Sequence, residues 1–235
     1  MHVFDGQHVD FIEGQLIVVN KPLAWTSFDV VNKIRSLACK QMGVDKLRVG
    51  HAGTLDPMAT GVLLLCTGRY TKLIEKLQDG DKEYVAKLKL GATTPSFDME
   101  TEEDAVYPYE HITQEMIEEC IRQFTGRIEQ IPPVYSAVKI GGKRSYKIAR
   151  KGRGTTVKPR LVEIYNIGIE QYNLPFVTIR VSCGKGTYIR ALARDIGKEL
   201  NSGSYVSGLV RTKSGDYTIE NALEIEEIEK IIKNL

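Results

Sequence analysis

The stretch "VGHAGTLDPMATGVLLLCTG", Val49–Gly68, sets the reading of the chain. Its first part, "GHAGTLDPMATG", is rich in breakers and reads as a loop. The "VLLLCTG" behind it is a short apolar run ended by Gly68, the pattern of a buried strand. A single acid, Asp56, stands in this loop, with His51 as the other titratable side chain. An Asp in a Gly/Thr-rich loop is most often a turn former or a helix cap. Against that plain role, the Asp56-Pro57 step fixes the φ that follows and biases Asp56 toward extended backbone. Gly50, Gly53 and Gly61 leave room for a second backbone to approach. A carboxylate presented in this way is also a candidate nucleophile at a sugar carbon or an electron-poor ring, chemistry that needs no metal.

Outward from this loop the chain mixes strands and helices. "QLIVVNKP", Gln15–Pro22, is a short apolar run stopped by proline and predicts a strand. In "TSFDVVNKIRSLA", Thr26 and Asp29 have capping-box spacing, and Phe28, Val31, Ile34 and Ala38 recur at helical spacing. "TKLIEKLQ" predicts a short helix, and "KEYVAKLKLG", Lys82–Gly91, alternates like a half-exposed strand. In "TQEMIEECIRQFTG" Thr113 caps a helix, Ile117, Cys120, Ile121 and Phe124 face the core, and Gly126 ends it. "RLVEIYNIGIEQY" and "FVTIRVSCG" read as strands joined by a turn near Asn173–Pro175. "TYIRALARDIGKEL" predicts a helix with an Ile189, Leu192, Ile196, Leu200 stripe, and a charged helix follows from Asn221. Strict βα alternation is absent, so the fold class expected is α+β rather than a doubly wound sheet.

The chain has 235 residues, 42% hydrophobic and 26% charged, enough for a real core and ordinary for a globular protein. A single domain over 1–235 is expected. No membrane-length apolar run occurs, and "MHVFDGQHVDFIEG" carries acids where a signal peptide is basic and then apolar, so a cytoplasmic protein is expected. Cys39, Cys66, Cys120 and Cys183 lie far apart, and the four histidines are scattered, so neither zinc nor a disulfide framework is suggested. Zinc-protease and P-loop motifs are absent. Nothing suggests more than a monomer.

Charge is segregated although the net is only +2. Met99–Glu119 holds eight acids and no Lys or Arg; Lys139–Arg160 holds nine basic residues and no acid. Such runs are solvated faces or flexible arms as often as not. Nine positive charges interleaved with glycines and Tyr146 also suit a phosphate-binding arm, which makes RNA or DNA a serious candidate partner. Two further features carry chemistry only in context. Tyr188 and Arg190 follow a Gly-Lys-Gly turn at a helix start, where the arginine is either an ordinary surface residue or the partner that keeps a carboxylate ionised. Tyr84 lies in a strand, where aromatics usually pack but can also stack on an extruded base.

These stretches together resemble the TruB-type tRNA pseudouridine synthases. "VGHAGTLDPMATGVLLLCTG" is similar to that family's signature. "LIVVNKPLAWTSFDVVNKIR", "KEYVAKLKLGATTPSFD", "IPPVYSAVKIGGKRSYKIARKG", "VSCGKGTYIRALARDIG" and "SGLVRTKSGDY" resemble further blocks in order, over roughly residues 15–220. The resemblance implies a pseudouridine synthase catalytic fold, a mixed, largely antiparallel sheet with flanking helices and a basic RNA-clasping insertion near residues 132–160. It implies conversion of uridine to pseudouridine at position 55 in the T-loop of tRNA, without cofactor or metal, with the T-arm stem-loop as partner. By motif, Asp56 is the catalytic aspartate, Tyr84 stacks on the target base near the proton transfer, and Arg190 pairs with Asp56. Tyr188 and Leu209 line the base pocket, His51 contacts flipped-out nucleotides, and Lys21 and Pro22 support the active-site loop. Lys143, Arg144 and Lys147 belong to the RNA-clasping run.

Physical reasoning agrees. The target base must leave its stack to be reached. Glycosidic cleavage builds positive charge on the sugar, which an ionised carboxylate stabilises or traps. Addition of Asp56 to C1′, addition to C6 and proton abstraction all stay open. The chain departs from the family at Ala52, where Thr is frequent, and at Gly184, where Ser is common. It also ends at Leu235, so the full C-terminal PUA domain of many members is expected to be absent. The alternatives are a non-catalytic RNA-binding or RNA-chaperone protein on the same fold, and an Asp-nucleophile hydrolase of nucleosides.

Overall fold

The structure, a computed structural model, describes residues 3–135, 139–140, 143–144 and 157–235, and of 139–140 and 143–144 the backbone alone. In chain order the strands are β1 (Leu16–Lys21), β2 (Val49–Ala52), β3 (Ala59–Thr67), β4 (Lys82–Leu90), β5 (Ala92–Thr93), β6 (Ala105–Val106), β7 (Gly126–Gln130), β8 (Lys139–Ile140), β9 (Lys143–Arg144), β10 (Arg160–Asn173), β11 (Phe176–Cys183), β12 (Ser204–Ser214) and β13 (Tyr217–Thr218). The α-helices among the described residues are α1 (Ser27–Met42), α2 (Ile74–Gln78), α3 (Gln114–Gln123), α4 (Ile189–Glu199) and α5 (Ile225–Lys233). The fold is α+β, as the pattern predicts, with the largely antiparallel sheet and flanking helices that the resemblance implies. The chain forms two compact units: Met1–Tyr84 with Val210–Leu235, and Val85–Leu209. The boundaries fall inside β4 and β12.

In the first unit β3 pairs with β1 on one side, from Leu16↔Cys66 to Lys21↔Gly61, and also carries β2, from Val49↔Thr67 to Ala52↔Leu64. Both β1 and β3 are nearly continuous in buried residues. Leu16, Val18, Ala52, Val62, Leu64 and Cys66 make one core face with Tyr70 and Ile74 against it. The alternate residues Ile17, Val19, Leu63 and Leu65 are equally buried, so both faces of the β1–β3 pair are covered. Helix α1 starts as its sequence demands. Thr26 Oγ1 accepts from the Asp29 backbone N–H at 3.1 Å, and the Asp29 carboxylate accepts from the Thr26 N–H at 2.8 Å. Val30, Val31, Ile34 and Ala38 are buried, whereas Phe28 is 58% exposed. Phe28 therefore leaves the predicted apolar stripe; its ring lies under the Arg35 guanidinium at 5.9 Å.

The "GHAGTLDPMATG" stretch is less of a loop than its breakers predict. Its ends are paired in β2 and β3, and the unpaired part shrinks to 53–58, the tip of a hairpin. Gly61 makes the tight crossing behind that tip: its φ is +99°, and a Cβ there would lie 2.3 Å from the Arg211 carbonyl oxygen.

In the second unit β10 pairs antiparallel with β11 and with β7, and α3 packs on β10 and α4. The turn between β10 and β11 falls at Leu174-Pro175, as the sequence predicts. In α3 Ile117, Cys120 and Ile121 are buried, while Phe124 is only half-buried at the helix end. Cys66, Cys120 and Cys183 are buried free thiols, and burial pushes Cys66 up to about 11 and Cys120 up to about 12. Among the described residues, no helix is long and apolar enough to cross a membrane, and no cluster of His, Cys, Asp or Glu is arranged to hold a metal ion.

Candidate active site

The first unit holds Asp56 half-buried at the hairpin tip, and the residues on both sides of it are fastened. Before it, Leu55 is buried, and its backbone makes two bonds with one hydroxyl. Ser27 Oγ accepts from the Leu55 N–H at 2.9 Å and donates to the Leu55 carbonyl at 3.1 Å. Ser27 is the first residue of α1 and is itself buried, so the capped helix end and the Asp56 loop are locked together. After it, the Pro57 carbonyl accepts from the Ala24 N–H at 2.9 Å and from Lys21 Nζ at 3.3 Å. The Asp56 carbonyl accepts from the Ala59 N–H at 3.1 Å, closing a turn with proline at its second position. Ala24 sits at φ +65°, a left-handed conformation rare for a residue with a Cβ, and its bond to Pro57 belongs to what holds it there.

Lys21, at the end of β1, is fully buried. Its ammonium also donates to the Pro22 and Trp25 carbonyls at 2.9 and 2.6 Å, so its three acceptors are all backbone oxygens of the two loops that meet at Asp56. Burial lowers the Lys21 pKa to about 8, against a smaller upward pull from the Asp56 charge and a further downward push from Arg211. Pro22 follows in the same loop and is half-buried.

Arg211, to which the motifs assign no role, also holds this hairpin. It lies in β12, is 1% exposed, and donates Nε to the Val62 carbonyl at 2.7 Å and Nη2 to the Gly53 carbonyl at 3.1 Å. One guanidinium thus spans both arms of the hairpin that carries Asp56. An arginine following the apolar pair Leu209–Val210 is the available sign in the sequence. His51 lies on β2 and Tyr84 is a buried residue of β4, both within this unit. The alternation of β4 puts Tyr84 on the face shared by Lys82, Ala86, Leu88 and Leu90.

The second unit holds Tyr188, Arg190 and Leu209. Arg190 is a helix residue, as expected, but it is 2% exposed rather than on a surface. Its Nη1 donates to the Ser96 carbonyl at 2.9 Å, its Nη2 to the Tyr135 carbonyl at 2.7 Å, and its Nε lies 3.5 Å from the buried Asp98 carboxylate. Asp98 and Ser96 belong to "TTPSFD", a loop whose buried hydroxyls close on its own backbone: Thr94 Oγ1 donates to the Asp98 carbonyl at 2.7 Å. Phe97 in this loop is at φ +62°, strain for a bulky residue, with the Arg194 guanidinium 5.1 Å from its ring. Tyr188 is the N-cap residue of α4, half-buried and extended, and the chain turns into it through Gly186 at φ +84°. Leu209 is half-buried in β12. Lys143 and Arg144 form β9, antiparallel to β8; their side chains and Lys147 lie outside the described residues.

The Asp56 loop is thus anchored through its backbone by a buried serine, a buried lysine and a buried arginine, and the Asp56 charge acts on that lysine. Comparison with known proteins agrees on a family. Residues 40–189 match the model described as "TruB family pseudouridylate synthase (N terminal domain)". Over 233 residues the chain is 55% identical to a protein of Phocaeicola vulgatus named tRNA pseudouridine synthase B, covering 95% of this chain and 99% of the relative. A protein of the same name from Parabacteroides distasonis is 54% identical over 225 residues, covering 96% of each. A crystal structure of a Cbf5–Nop10–Gar1 complex is similar at TM-score 0.71 and 28% identity, covering 94% of this chain; the chain spans 54% of that one.

Proposed function

The chain belongs to the TruB family of pseudouridylate synthases, and from that premise we propose that it converts uridine at position 55 in the T-loop of tRNA to pseudouridine. The observation that carries the proposal is the similarity over nearly the whole chain to relatives named tRNA pseudouridine synthase B. The anchoring of Asp56 supports it. Mere RNA binding gives no reason to fasten the residues on both sides of one carboxylate with a buried serine and a buried lysine.

The reaction is an isomerisation. The N1–C1′ bond breaks, the uracil turns, a C5–C1′ bond forms, the C5 proton leaves and N1 gains one, so no redox partner is needed. A stacked base hides these atoms, and the target nucleotide is turned out into a pocket first. In this reading the Asp56 carboxylate meets the positive charge that develops on the ribose. Arg190 pairs with Asp56, while Tyr84 stacks on the uracil near the proton transfer at C5. Tyr188 and Leu209 close the pocket so that the detached base cannot escape, and His51 touches the nucleotides displaced beside it. Lys21 and Pro22 act on the loop, consistent with the Lys21 bond to the Pro57 carbonyl. Lys143, Arg144 and Lys147 bind phosphates of the T-arm. The protein acts without metal or cofactor, as a single cytoplasmic catalytic domain and as a monomer.

The test is a T-arm stem-loop RNA tritiated at C5 of its uridine. The expected outcome is tritium release with pseudouridine in the product. Free uracil would indicate a nucleoside hydrolase, and RNA binding with no release would indicate a non-catalytic RNA-binding protein; either result overturns the proposal.

A further inference from the structure

We infer that Gln130 is a positioning residue for the base pocket, clamping the backbone of Tyr188 from the stem of the basic insertion. The inference rests on the reading of Tyr188 and Arg190 given above. Gln130 is the last residue of β7 and is 1% exposed, although glutamine is a residue that rarely leaves water unless its amide is fully used. Here the amide is used on one partner. Gln130 Oε1 accepts from the Tyr188 N–H at 2.7 Å, and Nε2 donates to the Tyr188 carbonyl at 3.1 Å. This two-point contact copies a strand pairing onto a single residue. It fixes the orientation of the Tyr188 peptide groups, at the point where the chain changes from the extended Tyr188 to the first turn of α4.

The contact belongs to a row. Three residues of α4 and its N-cap meet three points between Gln130, the end of β7, and Tyr135. Tyr188 is held by Gln130, Arg194 donates Nη1 to the Ile131 carbonyl at 3.1 Å, and Arg190 donates Nη2 to the Tyr135 carbonyl. The helix start that carries both proposed site residues is thus registered against the stem, and of these three contacts the one from Gln130 grips Tyr188 itself. No local propensity places Tyr188. At N3 the helix has Ala191, which cannot accept from the N-cap N–H, and Gln130 supplies the acceptor that the N3 side chain gives in a capping box.

Removing the clamp takes the Gln130 acceptor from the Tyr188 N–H and one of two donors from its carbonyl, which keeps the bond from the Leu192 N–H at 3.0 Å, so the Tyr188 backbone loosens on its N-terminal side. A positioning role predicts a loss in turnover rather than in RNA affinity, because catalysis is sensitive to small misplacements of the pocket. The experiment compares wild type, Gln130→Glu and Gln130→Leu on the tritiated T-arm stem-loop, with circular dichroism and amide exchange on each. Gln130→Glu keeps the acceptor for the Tyr188 N–H and loses the donor; Gln130→Leu loses both. The expected result is kcat falling in the order wild type, Gln130→Glu, Gln130→Leu, by roughly tenfold or more at the last step, with KM within about twofold. Exchange at Tyr188–Arg190 should rise in the same order while that of β10 and β11 holds. Unchanged kcat in Gln130→Glu and Gln130→Leu would overturn the inference, and so would a rise in KM alone, which would mark Gln130 as part of the stem only. Should Gln130→Leu not fold, Gln130→Glu decides by the same two readouts. A wild type that releases no tritium would sink the proposed function, whereas unchanged exchange at Tyr188–Arg190 would sink the clamp whatever the activity.

Discussion

Lys21 shows how much one residue can be asked to do. A fully buried ammonium is costly, and three carbonyl acceptors with a carboxylate in range are what make it tolerable. Its pKa falls from an ordinary 10.5 to about 8, so between these values the unfolded chain binds the proton that the folded chain has released. Stability from this group therefore rises with pH from about 8 to about 10.5. Chemical denaturation of wild type and Lys21→Met across that range should show the difference in unfolding free energy growing in favour of wild type as pH increases. A constant difference would contradict the assignment. The motif marks Lys21, but its burial and its three carbonyl partners come from two loops that meet only in the fold. Arg211 is hidden in the sequence for the same reason: its partners Gly53 and Val62 lie far from it along the chain, and no local pattern announces them. Arg190 is legible as a helix residue beside Tyr188, whereas its approach to Asp98 is not, because an acid in "TTPSFD" looks like any turn former.

At the scale of elements, local rules are legible where they act alone. The Thr26–Asp29 capping box, the period-2 alternation of β4 and the Thr113 cap of α3 all appear in the fold as their spacing predicts. The Asp56 loop is narrower than its glycines suggest, since glycines usually mark turns, and here pairing in β2 and β3 absorbs them. Phe28 departs from its expected place because helical spacing alone does not say where the buried stripe ends. The joint between α1 and the loop is testable. Ser27→Ala removes the hydroxyl that serves both backbone groups of Leu55, and it should cost about 1–3 kcal/mol of stability. It should also lower kcat more than it raises KM for the stem-loop, as steady-state kinetics will measure. A loss in KM alone would separate the helix end from the loop's function.

For the molecule as a whole, the proposed phosphate-binding arm rests on a charge segregation that the near-neutral overall composition hides. The net charge is +2, yet nine basic residues fall in Lys139–Arg160 and eight acids in Met99–Glu119. With the arm on phosphates, replacing Lys143, Arg144 and Lys147 by neutral residues should weaken T-arm binding. The slope of log affinity against log salt should flatten by up to about one for each phosphate no longer neutralised. An unchanged slope in filter binding would refute a phosphate-binding role for the arm. The proposed reaction turns on one carboxylate, that of Asp56, and its substitution by Asn tests the proposal most directly. The side chains are nearly the same size, and the anchoring bonds to Leu55 and Pro57 use backbone atoms that the change leaves intact. Single-turnover tritium release by Asp56→Asn, with RNA affinity measured alongside, should fall to background while binding stays within a few-fold of wild type. Release near the wild-type rate would contradict the account.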